Sequence, residues 1–406
     1  MTSKSGKGED PSSSSSSSTA SATNESVTLE LEAVAKPGAT NDSFRSKDKK
    51  HLVVLVHGLF GSDKHFKYVV EAMEANFSSE SICVYVSRAN KRAKTLDGIQ
   101  DCGERLIEEV NAFLQTQQSF RTISIVGHSL GGLIARYAIG QTYDPEKKTI
   151  FGLEPLHYIA ICTPHFGCND TYMSDIRKED SVTPCLRWAG QIPCLGKIPA
   201  FLFYVFESFF VCLVLRRTGD QLFLRDKDPI ILQMGSYSQQ DTTGGGDEKG
   251  DTEKVAPYLD ALASFKERTC YGNIRGDHVV AWENATIRRK CDLPKISSKE
   301  VPYGVVNEEV SPACPPEGPS EELVPIHHSP SRATCPKVEV MISNLEALGW
   351  RRVDVKTKIL IHKGAPWAHD NIISKKDIHD NFKTVALHSS SLLINTVKRY
   401  ETDNVV

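Results

Sequence analysis

The sequence has no extended run of lysine and arginine, no C-x-x-C pair, no apolar stretch near its start and no long hydrophobic run free of charge and proline. Each absence excludes something. With a formal net charge of -3 there is no electrostatic footprint for a nucleic-acid surface, and no nucleic-acid partner is expected. The 11 cysteines are odd in number and lack metal-ligand spacing with histidine, so no metal site is expected. A secretory signal needs an apolar segment near the start. Without one, the thiols are expected to be reduced in an intracellular, cytoplasmic protein; a regulatory disulfide between Cys314 and Cys335 stays open.

What is present divides the 406 residues unevenly. Residues 1–48 are rich in serine, with seven in a row from Ser12 to Ser18, and cannot bury enough apolar surface to offset the entropy of ordering; a disordered tail is expected. From residue 49 to about 400 the pattern is that of one α/β domain. His51–Val56, Ile82–Val86, Thr122–Val126 and His157–Cys162 read as buried strands, and Asp63–Phe77, Ile99–Leu114 and Leu130–Ile139 as the helices between them. That alternation predicts an α/β fold with a mostly parallel sheet covered by helices on both faces. Strands are expected again at Arg268–Ile274, Trp350–Val355 and Ile359–Ile361, and a closing helix over Ile378–Thr396. Residues 236–254 and 291–335 are rich in Gly, Pro, Ser and acids and are expected to be flexible, irregular insertions.

Gly127-His128-Ser129-Leu130-Gly131 fits G-x-S-x-G between a strand and a helix. Glycines two residues either side leave room for a strained turn that lifts a serine hydroxyl clear of the sheet, so Ser129 is the candidate nucleophile; the bland alternative is a helix cap. The Leu130 amide, at the positive end of a helix dipole, is one candidate oxyanion donor. The second is expected from Val56-His57-Gly58-Leu59-Phe60-Gly61: the amide of Leu59, with Phe60 as the near alternative and His57 as a brace. The acid and base should follow the nucleophile in chain order. Asp277, after the strand at Arg268–Ile274 and a glycine, is the candidate acid, or else a turn cap. Among the histidines beyond it, His369 is placed on a loop after Gly364–Trp367 and is the candidate base, with His362 as the alternative.

The chain resembles the putative serine esterase family of lipase-like α/β hydrolases. The resemblance lies in Val56–Gly61, Thr95–Ile99, Gly127–Leu133, Thr163–Gly167, Arg217–Leu224, Tyr271–Asp277, Trp350–Val355 and Ala368–Asn371, in family order. It implies Ser129, Asp277 and His369 as a triad, activity on acyl esters of lipids and no cofactor. The chain departs from the family pattern in carrying Val279-Val280-Ala281-Trp282 after the acid's turn, where Val-Pro is usual, and in its longer insertions.

Residues 185–226 contain the most apolar part of the chain, Ile198–Leu215, with Phe203, Phe206, Phe209 and Phe210 as candidate substrate or lid contacts. Pro199 and Glu207 weaken the case for a membrane span; an interfacial lid, a buried helix and a span stay open. A lid of this kind implies contact with a membrane or droplet surface. The function expected is hydrolysis of lipid carboxylic esters through an acyl-enzyme. An acyltransferase using the same intermediate, and a silent binding module, remain as alternatives.

Overall fold

The computed structural model describes residues 50–76, 82–117, 119–168, 215–237, 256–277, 279–297, 299–314, 336–357, 361–362, 365–366, 368–373 and 383–404. The expected tail at 1–48, residues 169–214 with Phe203, Phe206, Phe209 and Phe210, residues 238–255 and Cys335 lie outside them. The central sheet has seven strands: β1 His51–Val56, β2 Ile82–Val86, β3 Thr122–His128, β4 Glu154–Ile161, β5 Glu267–Asn273, β6 Gly304–Val310 and β7 Arg351–Lys356, in the order β2-β1-β3-β4-β5-β7-β6. All neighbours are parallel except β6, which runs antiparallel to β7. This is the α/β-hydrolase fold.

Strands β1, β3 and β4 are buried along nearly their whole length, as continuous apolar runs in a two-faced sheet require. Three long helices, α1 Lys67–Asn76, α2 Ile99–Thr116 and α3 Leu130–Gln141, fill the crossovers among the first strands. A fourth, α4 Lys383–Asp403, closes the chain and packs Ala386, Leu393 and Val397 into the cluster that holds Val69 and Met73 of α1. The helix α3 is buried on every side from Leu130 to Gly140, so it lies between layers with no solvent face.

Two sequence expectations are corrected. Within 291–335, read as irregular, Gly304–Val310 is the edge strand β6. Its Asn307, Glu308 and Glu309 are partly to fully exposed, so it offers no apolar run to read. Its order comes from pairing with β7 and from partners such as His388, 3.3 Å from Glu308. Likewise His369 is on a single helical turn, Ala368–Asn371, closed by the Ile372 amide donating to the Ala368 carbonyl at 3.2 Å, rather than on an open loop. A smaller difference is the short 3-10 turn, Asp63–Phe66, that precedes α1, and residues 378–382 of the expected closing helix lie outside the described residues.

The chain steps outward from β1 to β2, then returns across β1 to β3. Crevices at such reversals, beyond the carboxyl ends of the strands, are where α/β sheets bind ligands. The loop after β1 and the turn after β3 meet there.

Candidate active site

Ser129 joins β3 to α3 with φ 55° and ψ -130°, a conformation that side chains rarely adopt. Its amide donates to the Ile161 carbonyl of β4 at 2.8 Å, and its carbonyl accepts from the Gly132 amide at 3.1 Å. The turn is tight enough to demand its glycines. A Cβ on Gly131 would lie 2.1 Å from the Val56 carbonyl oxygen, and one on Gly127 would lie 2.4 Å from the Gly132 Cα. Strand β1 therefore runs directly against the start of α3, and the loop after β1 is brought to the serine: a Cβ placed on Gly58 would be 3.1 Å from Ser129 Oγ.

In that loop the Gly61 amide donates to the Gly58 carbonyl at 2.9 Å, and His57 Nδ1 sits 3.1 Å from the same carbonyl, in keeping with a bracing role. The Phe60 amide is taken by Thr95 Oγ1 at 2.9 Å, which removes Phe60 as the alternative oxyanion donor. Thr95 in turn donates to the Arg92 carbonyl at 2.6 Å. Its own carbonyl accepts from Thr218 Oγ1 at 2.7 Å, while Thr218 Oγ1 accepts from the Gly98 amide and Gln221 Oε1 from the Ile99 amide. Thr95–Ile99 and Arg217–Leu224, far apart in the chain, thus interlock and cap α2. They also fix the loop beside Ser129.

Asp277 and His369, 92 residues apart, are joined by His369 Nδ1 to Asp277 Oδ2 at 2.9 Å. The other carboxylate oxygen accepts from the amides of Val279 and Val280 at 3.0 and 2.9 Å. Asp277's side chain is only 2% exposed. Burial pushes its pKa up, but the neighbouring His369 charge and hydrogen bond, with the two amides, outweigh that and hold it at about 2. The residue also caps its turn, so the acid and turn-cap readings coincide.

The base sits against the elbow. His128 Nε2 lies 3.1 Å from the His369 carbonyl oxygen, and the two imidazoles are 5.1 Å apart, centre to centre. His362, the other histidine considered as base, sits in the two-residue strand Ile361–His362, paired with Ala365–Pro366.

Sequence reasoning passed over Asn273, at the end of β5. Its amide nitrogen reaches Asp277 Oδ2 at 3.2 Å and the Ala368 carbonyl at 3.3 Å, while its Oδ1 accepts from Thr357 Oγ1 at 2.5 Å. One buried side chain thereby ties the acid to the backbone that carries the base. Cys162 was also passed over. Its sulfur shares a 4.8 Å neighbourhood with ligand atoms of Asp277 and His369. Burial, then the Asp277 charge, pushes the thiol's pKa well above its ordinary value. Asn273 and Thr95 both lie inside motifs of the family resemblance, which is the signal that could have found them.

After the acid, Trp282 Nε1 donates to Asp354 Oδ1 at 2.7 Å. The same carboxylate takes Arg288 at 2.7 Å and Asn307 at 2.8 Å. Arg288 and Asp354 are almost fully buried, and the pair is surrounded by donors, as a buried ion pair requires. It fastens the segment following Asp277 to β7.

Residues 46–197 match the family model described as putative serine esterase. Putative lipase ROG1 of Saccharomyces cerevisiae is 37% identical over 123 residues, 29% of this chain and 18% of that protein. Putative lipase C4A8.10 of Schizosaccharomyces pombe is 30% identical over 239 residues, 53% of this chain and 29% of that protein. The matched part thus spans less than a third of either yeast protein. A triacylglycerol lipase of Burkholderia plantarii is 34% identical over 135 residues, 32% of this chain and 34% of its own. Among solved structures, a putative lipase from Acinetobacter baumannii has 15% identity and a TM-score of 0.30, covering 66% of this chain and 85% of that one. Over residues 46–197, less than half of its length, the chain is thus similar to the putative serine esterase family.

Proposed function

We propose that this protein is a serine hydrolase of lipid carboxylic esters, working through Ser129, His369 and Asp277. The observation that carries the reading is the 2.9 Å contact of His369 Nδ1 with a buried, ionised carboxylate, on a turn that packs against His128, the neighbour of the positive-φ Ser129. With Nδ1–H committed to Asp277, the imidazole's basic site is Nε2. It takes the serine proton as Oγ attacks the ester carbonyl. The tetrahedral oxyanion is received by the amide of Leu130, which opens α3 and has no carbonyl one turn earlier to bond, and by the amide of Leu59, since Phe60's is engaged by Thr95. His369 then protonates the departing alcohol or lysolipid, and water attacking the acyl-enzyme releases the fatty acid. No cofactor enters these steps.

Lipid as the substrate class is supported by the lipase names of the relatives and by the apolar run at Ile198–Leu215. Among the described residues, no helix is long and apolar enough to cross a membrane. The protein meets its substrate peripherally, at an intracellular membrane or droplet surface. The test compares intact protein with Ser129→Ala on a panel of phospholipids and acylglycerols, alongside fluorophosphonate labelling. The variant should lose turnover by roughly 10⁴-fold or more and lose the label while staying folded; hydrolysis retained by the variant would remove the assignment.

A further inference from the structure

Arg136 lies seven residues after Ser129 on α3 and is 1% exposed. Its Nη2 donates to the His165 carbonyl at 3.0 Å, yet among the described residues Nε and Nη1 have no hydrogen-bond partner. No carboxylate among the described residues faces it; the nearest titratable neighbours are the hydroxyl of Tyr158 and the imidazole of His165. The Tyr158 hydroxyl already donates to the Gly132 carbonyl at 2.7 Å.

Burial lowers the Arg136 pKa only to about 10, so the guanidinium keeps its charge at neutral pH. A buried cation with no counter-charge is among the most costly features an interior can hold. Its surroundings are rich in uncommitted polarity. Among the described residues, His165, 1% exposed, has no partner for either ring nitrogen, and the fully buried Thr163 has none for its hydroxyl. Thr163 abuts Gly132, one helical turn before Arg136 on the same side of α3. Burial, followed by the Arg136 charge, drives the His165 pKa well below its ordinary value, so its ring stays neutral and offers one N–H donor.

We propose that the interior between α3 and the Thr163–Gly167 turn is a binding site for a small monovalent anion of the chloride type, held by Arg136 with His165 and Thr163. Charge fixes the class. One guanidinium is the sole formal charge of the group, so a single negative charge neutralises it and a dianion would leave an excess. Arg136 supplies two N–H directions, His165 an N–H and Thr163 an O–H, all of which an anion accepts. The site is separate from the ester chemistry, and it stiffens the helix whose first residue follows Ser129.

The experiment uses the full chain and thermal unfolding. Midpoints are compared in sodium chloride and in sodium gluconate at equal ionic strength, then in nitrate and bromide. Saturable stabilisation by chloride, on the order of 2 °C or more, is expected for the unaltered protein and should vanish in Arg136→Met. In gluconate, Arg136→Met should be at least as stable as the parent, because an uncompensated charge has been removed. Chloride NMR line broadening on the unaltered protein gives a second reading that does not depend on the variant folding. Equal midpoints in chloride and gluconate together with no line broadening, as internal water or an acidic side chain of this chain beside Arg136 would produce, overturn the proposal.

Discussion

Around Ser129 the main chain itself is in contact, with the β1 carbonyl of Val56 against Gly131 and Gly127 against Gly132, and close backbone packing sets the turn. Around Asp277 and His369 the fit is made instead by side chains and their hydrogen bonds: Asn273 to Asp277 and to the Ala368 carbonyl, Thr357 to Asn273, Trp282 and Arg288 to Asp354. The first half is rigid because there is no room to relax. The second is rigid only while each polar partner is present. Adding a side chain at a glycine of the first half should therefore act on stability, and removing a polar partner in the second should act on catalysis.

The largest expected effect is catalytic. Asp277→Asn keeps the shape but lets the imidazole adopt the wrong tautomer, and should lower kcat by roughly 10³- to 10⁴-fold in steady-state assays on a soluble ester. A loss below tenfold would mean that this carboxylate is only a turn cap. Next comes Gly131→Ala, whose Cβ has no space beside the Val56 oxygen. It should destabilise the fold by about 2–4 kcal/mol in denaturant unfolding, and an unchanged midpoint would show that the elbow yields more easily than its contacts suggest.

A smaller effect links the halves through pH. Asp277 is held at about 2, below its usual value of 3.8, so its contribution is present above pH 4 or so and is lost as pH falls toward 2. The difference amounts to about 2 kcal/mol. Acid unfolding of the parent should accordingly be steeper over that interval than that of Asp277→Asn. The smallest effect is Thr95→Val, which leaves the Phe60 amide without its acceptor and loosens the loop carrying Leu59. A drop in kcat of about three- to tenfold with KM unchanged is expected.

The parts of the molecule that were legible in the sequence share a local cause. Strands β1 to β4 announce themselves by buried apolar runs, and the elbow by glycines whose spacing is dictated within a few residues. Pairing of Asp277 with His369 was legible only through chain order and family motifs, since no local rule spans 92 residues. Strand β6 was not legible, because an edge strand with charged side chains acquires its order from β7 and from distant partners. Asn273, Thr95 and Cys162 were missed for a related reason: their roles exist only once β4, β5, the β1 loop and the base-bearing turn have met. Arg136 gave no sign at all, being one basic residue in a helix whose complete burial the sequence pattern did not reveal.

The left-handed backbone at Ser129 has a consequence for the molecule as a material. A residue with a Cβ held at φ 55° sits on the order of 1 kcal/mol or more above a relaxed conformation. A glycine there would let the chain settle, at the expense of the hydroxyl. The protein therefore falls short of its own best stability at the very point proposed for its chemistry, and a dead Ser129→Gly form should outlast the living one on heating.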